Sequence, residues 1–288
     1  MCNISEISKI RFQHPEYLTA ALMKRKPGKL PADGRKLMII ACDHPARGAL
    51  GAGENPMAMA NRHELLERCI RALSRPGVSG FLGTADLVED LTLAGALEGK
   101  LVFGSMNRTG LQGSVFEIDD RFNCYSPQMI EKAKLDGGKT LTRICFDDPN
   151  TPRTLQATAQ AVDELSARRK IAMIEPFISH WENGRLVNDL TPDAVIKSIT
   201  IASALGTNSA YTWLKLPCVK DMERVMNSTT LPALILGGEA AKDLDAALND
   251  WEKAIKLPNV CGLVIGRSLL FPPDGNIETA VDNAMELL

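Results

Sequence analysis

The stretch KLMIIACDHP, residues 36–45, sets the pattern that predicts the fold. Its apolar residues run on without polar ones between them, which is typical of a strand that is buried on both faces of a parallel sheet. A helix-like segment, NRHELLERCIRAL (61–73), follows it. Seven more apolar runs, each with a helix-like segment after it, repeat the pattern at residues 78–84, 100–107, 139–149, 170–179, 209–217, 231–239 and 261–271.

Eight strand–helix units predict a single closed (β/α)8 TIM barrel of the α/β class, which takes about 250 residues. An open doubly wound sheet is the alternative, but no G-x-G-x-x-G motif follows the first strand. We expect residues 36–288 to form the barrel and residues 1–35 to form an N-terminal extension, with one helix, that caps the barrel bottom. An insertion, residues 107–127, follows the third strand and should lie at the mouth, with its charged run EIDDR (117–121) in solvent.

The composition limits the classes of binding partner that the protein can have. A net charge of −2 gives no electrostatic reason to expect nucleic acid or a membrane. Neither a signal peptide nor a run of about 18 apolar residues is found, and the seven cysteines form no CxxC pair, which is typical of reduced thiols. The histidines lack zinc-site spacing. We expect a cytoplasmic homo-oligomer that takes a small molecule and needs no cofactor or metal, with magnesium on Asp43 and Glu175 as an alternative.

Polar residues stand where the predicted strands end, and in a barrel these ends meet at the mouth, where catalytic groups lie. Lys215 is the most unusual, because an ammonium group in the apolar stretch YTWLKLP (211–217) is costly unless it is paired or neutral. A neutral amine attacks a carbonyl carbon, and the resulting iminium accepts the electrons of a neighbouring C–C bond. A structural lysine paired with Glu175 or Asp43 is an equal alternative. The other catalytic or substrate-binding candidates are Asp43, Glu175, Arg143, Asn107 and Arg108.

Glycines end the last two predicted strands, in LGGE (236–239) and IGRSLLF (265–271). In many barrels the loops at this place bind a phosphate through backbone N–H groups that glycine leaves accessible. An arginine beside them could add a charge-assisted hydrogen bond. The phosphate-binding candidates are Gly237, Gly238, Gly266 and Arg267.

With a lysine on strand six and glycines ending strands seven and eight, the chain resembles the class I, Schiff-base aldolases of the DeoC/LacD type. That family includes deoxyribose-phosphate and tagatose-bisphosphate aldolases, with archaeal fructose-bisphosphate aldolases as relatives. The motifs ACDHP, TRICFDDP, IEPF, WLKLP, LILGGE and GLVIGRSLLF carry the resemblance across residues 36–288. The resemblance implies that Lys215 forms the Schiff base and that Asp43 positions the substrate and assists proton transfer.

The resemblance also implies roles for strands four and five. In the tagatose-bisphosphate branch, a strand-four lysine and a strand-five glutamate handle protons. Glu175 matches the glutamate, and Arg143 stands where we expect the lysine. An arginine stays protonated, so at that place it would bind an anion or polarise a carbonyl.

Within this group the chain is most similar to bacterial aldolase-like proteins linked with inositol breakdown. Their implied substrate is a phosphorylated keto-deoxy sugar acid, whose carboxylate Arg143 or Arg108 would bind. We therefore predict an aldehyde-lyase of carbohydrate catabolism that cleaves a phosphorylated keto sugar or keto-deoxy sugar acid. A barrel that binds a phosphorylated metabolite without covalent chemistry, and a metal-assisted lyase, are the alternatives.

Overall fold

The predicted barrel is confirmed. The computed structural model describes residues 2–238 and 244–288. In these residues eight parallel strands form one cylinder, because the first strand pairs with both the second and the last, and the fourth pairs with the fifth. The barrel strands are β1 (Leu37–Cys42), β2 (Gly80–Gly83), β3 (Leu101–Ser105), β4 (Gly137–Ile144), β5 (Ile171–Glu182), β7 (Thr212–Pro217), β8 (Ala233–Leu236) and β9 (Val260–Ile265).

Helices surround the cylinder and follow the strands as the sequence predicts. Several begin at a residue whose side chain accepts a hydrogen bond from an N–H of the first turn, such as Asn61 and Thr191. None of the described helices is long and apolar enough to cross a membrane. The helices are α1 (Ile4–Gln13), α2 (Glu16–Lys24), α3 (Arg62–Leu73), α4 (Ala85–Leu93), α5 (Pro127–Lys132), α6 (Thr151–Ala167), α7 (Pro192–Ser203), α8 (Met222–Met226), α9 (Leu244–Ile255), α10 (Arg267–Leu270) and α11 (Ile277–Met285).

The alternation of side chains along each strand decides which residues reach the cavity. In β1, Leu37, Ile39 and Ala41 belong to a small core inside the cylinder, while Met38 and Ile40 pack in the larger core between strands and helices. The inward series has a period of two. The next residue of this series after Ala41 is Asp43. The alternation that directs apolar side chains into the barrel therefore also directs the Asp43 carboxylate to the barrel mouth.

A hairpin extends the fifth strand beyond the barrel. The sequence predicts that this strand ends at residue 179, but β5 continues to Glu182 and turns back into the antiparallel strand β6 (Arg185–Asn188). Asn183 and Gly184 make the turn with φ of +50° and +74°. Two left-handed residues suit a two-residue hairpin turn, and Asn-Gly is its commonest sequence. The N-G signal was therefore present in the sequence.

The N-terminal extension holds two helices, where the sequence analysis identified one. Helices α1 and α2 pack on α3 and α4, outside the cylinder. The connection that follows meets the lower end of the barrel through Arg25, which is only 2% exposed. Its guanidinium donates hydrogen bonds to the carbonyl oxygens of Lys100 (2.9 Å) and Lys134 (2.7 Å), just before β3 and β4 begin.

We expect Arg25→Ala to lower the free energy of unfolding by about 3 kcal/mol, because it removes the charged hydrogen bonds of a buried guanidinium. Urea denaturation followed by circular dichroism measures the loss. Lys24→Ala, an exposed cation one residue earlier, is the control and should change stability by less than about 0.5 kcal/mol. Equal stability of the two variants would show that Arg25 does not fasten the extension to the barrel.

Candidate active site

A cavity of about 610 Å³ opens at the C-terminal mouth of the barrel. This volume is within the range of pockets that enclose a small metabolite. Nearly all of the site residues predicted from the sequence line it, and Asn107 does not. The predicted residues at the cavity wall are Asp43, Arg108, Arg143, Glu175, Lys215, Gly237, Gly238, Gly266 and Arg267.

The centre of the site is a carboxylate that contacts two lysines. The Nζ atom of Lys215 lies 2.9 Å from Oε1 of Glu175. The other oxygen, Oε2, contacts the Nζ atom of Lys139. Lys139 Nζ is also 3.3 Å from Oδ2 of Asp43. All four side chains are buried, so ionisable groups from β4, β5, β7 and the end of β1 meet in one enclosed space.

Lys139 was not among the residues predicted from the sequence. The sequence analysis placed Arg143 where a strand-four lysine was expected, but β4 itself carries a buried lysine, Lys139, that contacts Glu175 and Asp43. The two residues are four apart in β4 and so share its inward face, with Lys139 deeper and Arg143 nearer the rim. On the outward face, Thr142 lies 3.2 Å from Thr158 of α6 (Oγ1 to Oγ1), which fixes the orientation of the strand.

The charges of this cluster shift one another's pKa. Burial opposes ionisation of Asp43, but Arg108, Lys139 and Lys215 outweigh it and hold the pKa of this carboxyl well below its usual range. Burial likewise opposes ionisation of Glu175, and the two lysines nevertheless lower its pKa to about 2. Burial and then Arg108 lower the pKa of Lys139 to about 8. Both carboxyls are therefore ionised near neutral pH, and a lysine is poised to exchange a proton.

His44 follows Asp43 directly and also lines the cavity. Burial lowers its pKa to about 3, so the imidazole is neutral at pH 7. In the described part of the chain, no group of three or more histidine, cysteine or carboxylate side chains is placed to hold a metal ion.

The insertion is bound to the barrel by ion pairs, and the prediction that EIDDR lies in solvent is wrong for two of its acids. Asp120 is 1% exposed and accepts hydrogen bonds from Nε (2.9 Å) and Nη2 (2.6 Å) of Arg143. Glu117 forms an ion pair of 3.4 Å with Arg47, a cavity residue that the sequence analysis missed. Arg143 therefore reaches the cavity with its charge already paired.

Asn107 was predicted to bind the substrate, but its side chain is used in hydrogen bonds within the protein. Its amide nitrogen donates to the carbonyl oxygens of Asp120 (2.8 Å) and Leu141 (2.7 Å), and its oxygen accepts from the N–H of Leu141 (2.7 Å). Every one of these bonds is buried. The side chain thus joins the insertion to β4. Arg108, the next residue, does enter the cavity, where its Nη2 is 2.7 Å from Oδ2 of Asp43.

The predicted phosphate wall stands opposite. A Cβ atom at Gly266 would lie 2.4 Å from the carbonyl oxygen of Ala41, so only glycine fits there. Gly238 has a φ of +70°, in the region that favours glycine. Arg267 donates to the carbonyl oxygen of Gly238 (3.4 Å). Glu239, which ends the LGGE motif, lies outside the described residues.

The fold is that of an aldolase-like (β/α)8 barrel. A Schiff-base-forming fructose-1,6-bisphosphate aldolase has a TM-score of 0.66 at 18% identity, with 94% of this chain and 99% of that chain covered. An archaeal fructose 1,6-bisphosphate aldolase has a TM-score of 0.65 at 17% identity, with 94% and 98% covered. At these identities the likeness shows the fold.

The chain belongs to the Cgl0159-like family, which matches residues 35–285. The crystal structure of Cgl0159 from Corynebacterium glutamicum (Brevibacterium flavum) is 51% identical to it, with a TM-score of 0.95 and 98% of this chain and 95% of that chain covered. A comparison with curated proteins gave no match.

We expect Asn107→Ala to destabilise the protein by about 3 kcal/mol, because it leaves buried groups of Leu141 and Asp120 without partners. Urea denaturation measures this loss. Asn276→Ala, which removes an exposed cap of α11, is the matched control and should cost about 1 kcal/mol. If Asn107→Ala kept its stability and lost only ligand binding, Asn107 would be a substrate residue after all.

Proposed function

We propose that the protein is a class I aldolase that cleaves a phosphorylated keto sugar or keto-deoxy sugar acid through a Schiff base on Lys215. The observation that carries this proposal is the chain of contacts from Lys215 through Glu175 to Lys139 at the wall of a metabolite-sized cavity. A lysine kept only for stability would need one carboxylate. Here two lysines share one, and a proton can pass between the amines through it.

The covalent steps follow from the amine. Lys215 adds to the keto carbon of the substrate, and loss of water from the carbinolamine leaves a protonated imine. A base then removes the proton of the hydroxyl group on the β carbon. The bond between the α and β carbons breaks, and the β carbon leaves as an aldehyde. The electron pair of that bond moves into the imine and forms an enamine. Protonation of the enamine carbon and hydrolysis then return the free amine and the ketone product.

Lys139 is the group best suited to move these protons. Its pKa of about 8 is close to neutral pH, which is the condition for an efficient acid or base. The carboxyl groups of Asp43 and Glu175 are too acidic to hold a proton for long. We therefore propose that the carboxylates orient the two amines and the substrate hydroxyls, and that Lys139 takes the proton-carrying part that the sequence analysis gave to Asp43 and Glu175.

The likeness to fructose-bisphosphate aldolases supports the proposal. One of these similar structures is an archaeal fructose-1,6-bisphosphate aldolase with its catalytic lysine covalently bound to the carbinolamine intermediate of the substrate. The chain shares that barrel at 18% identity. The narrower assignments, to the DeoC/LacD type and to inositol breakdown, stay predictions from sequence motifs.

The substrate class rests on two walls of the cavity. The glycine-bearing ends of β8 and β9, with Arg267, would hold a phosphate. The opposite wall of the cavity holds two arginines, and each already has an acidic partner: Glu117 pairs with Arg47, and Asp120 pairs with Arg143. The carboxylate of a sugar acid would therefore have to share a guanidinium with Glu117. The hydroxyl groups of a neutral sugar could instead donate hydrogen bonds to Glu117.

We expect borohydride reduction in the presence of dihydroxyacetone phosphate, the smallest phosphorylated keto sugar, to attach the ligand irreversibly to Lys215. Peptide mass spectrometry locates the adduct. Lys215→Ala and Lys215→Arg should both lose the adduct and reduce aldol cleavage by several orders of magnitude, because neither leaves a nucleophilic amine.

Lys139→Met is the matched control for that experiment. It removes the other buried amine, so we expect an adduct on Lys215 to form with turnover reduced by about 100-fold, the contribution of general acid–base catalysis. An adduct on Lys139 in the unaltered protein, or full activity of Lys215→Ala, would contradict the proposal.

We expect Arg267→Ala to raise the half-saturating concentration of dihydroxyacetone phosphate in the trapping reaction by about 10- to 100-fold, because a charged hydrogen bond to phosphate is lost. Dihydroxyacetone, which has no phosphate, should be trapped equally by both proteins. Arg121→Ala, an exposed arginine of the insertion, serves as the control. Equal losses with and without the phosphate group would remove Arg267 from the phosphate site.

A further inference from the structure

The ionisable side chains at the inner end of the cavity do not balance in charge. Asp43 and Glu175 supply two negative charges, while Arg108, Lys139 and Lys215 supply three positive ones. All five are buried and joined by contacts. A surplus charge in a buried cluster is costly, and proteins relieve it by changing a protonation state.

Arg108 is the member that cannot change. A guanidinium stays protonated at any pH that the protein survives. It is also fixed in place: its Nη2 lies 2.7 Å from Oδ2 of Asp43, and its Nε donates to Oγ of Ser105 at 2.8 Å. Ser105 donates in turn to the same Asp43 oxygen at 3.1 Å. The backbone N–H of Arg108 donates to Oδ1 of Asn123 at 2.8 Å.

The outer wall of the cavity does not compensate for the surplus. Its two arginines, Arg47 and Arg143, face two acids of the insertion, Glu117 and Asp120. Burial and then Arg143 and Arg108 lower the pKa of Arg47 to about 10. Two arginines and two acids balance on this wall, which leaves no surplus carboxylate there for the inner cluster.

His44 and Arg267, which also lie near the cluster, bring no negative charge. His44 is neutral at pH 7, since burial lowers its pKa to about 3, and it brings no charge. Arg267, across the mouth from β1, adds positive potential at His44. Among the described residues, therefore, the third positive charge of the inner cluster meets no third carboxylate.

We propose that Arg108 is a positioning residue whose permanent charge makes one amine of the Lys139–Lys215 pair give up its proton near neutral pH. The inference rests on the proposed function, for which it explains how a nucleophilic amine is present before substrate arrives. Because Glu175 contacts both amines, the missing proton belongs to the pair.

Arg108→Gln removes the charge and keeps an amide donor for Asp43 and Ser105. Two lysines then face two carboxylates, so both remain protonated to higher pH. We expect the acidic limb of the pH profile for borohydride trapping with dihydroxyacetone phosphate to move up by about 1–2 pH units. The trapping rate at pH 7 should fall about 10- to 100-fold and recover above pH 9. Arg108→Lys, which restores a cation, should return the limb to within about half a unit of its original position.

Arg47→Gln is the matched control, because it also removes an arginine from the cavity wall, but one that faces Glu117. Its pH limb should stay at the original position, whatever happens to substrate affinity. If Arg108→Gln reduced trapping by the same factor at every pH, or if Arg108→Lys failed to restore the limb, the charge of Arg108 would not set the protonation of the lysines.

A measurement on the unaltered protein needs neither substrate nor an Arg108 variant. Nitrogen-15 resonances of the lysine Nζ atoms, assigned with Lys139→Met and Lys215→Met, should show one of the two amines titrating at or below about pH 8, where an ordinary lysine has a pKa near 10.4. Two ammonium signals that persist beyond pH 9.5 would overturn the inference. The expected titration together with absent trapping would instead refute the aldolase proposal and leave the charge imbalance established.

Discussion

The carboxylate of Glu175 is the contact on which the site depends. It lies on β5, and β5 pairs with β4 on one side and with β7 on the other. Lys139 and Lys215 extend from those two neighbours towards the same enclosed space. Without an anion between them, two ammonium groups in a medium of low dielectric constant would repel each other strongly. The order of strands in the cylinder is therefore what allows a pair of lysines inside an otherwise apolar barrel.

The sequence was sufficient to predict the barrel and to single out Lys215, because both predictions depend on polar and apolar residues that differ sharply from their immediate neighbours. Continuous apolar runs mark the strands, and a lone lysine between two leucines in such a run is conspicuous. Lys139 lacks that contrast: glycines precede it and threonines follow it at alternate positions. It reads as the polar start of a strand that in fact begins at Gly137. Local hydropathy could not find a buried lysine in a strand whose outer face is itself polar.

The acids of the insertion were misinterpreted for a related reason. A dense run of charges predicts a solvated loop when only its own window is considered. Glu117 and Asp120 are buried because their partners lie elsewhere in the chain: Arg47 is in the turn after β1, 70 residues from Glu117, and Arg143 is in β4, 23 residues from Asp120. Asn107 shows the same limit, since its amide joins two backbones that only the folded chain brings together. These pairs form only when the strands close into a barrel, so the sequence of one segment cannot predict them.

Strand β4 carries a further consequence for how this protein can vary. Its inner face holds Lys139 and Arg143, and its outer face holds threonines that meet α6. Loss or gain of one residue at the start of β4 would exchange the two faces. Both cations would then point into the helix layer, and hydroxyl groups would point into the cavity. Relatives that keep this chemistry should therefore differ from the chain in the letters of β4 but not in its length.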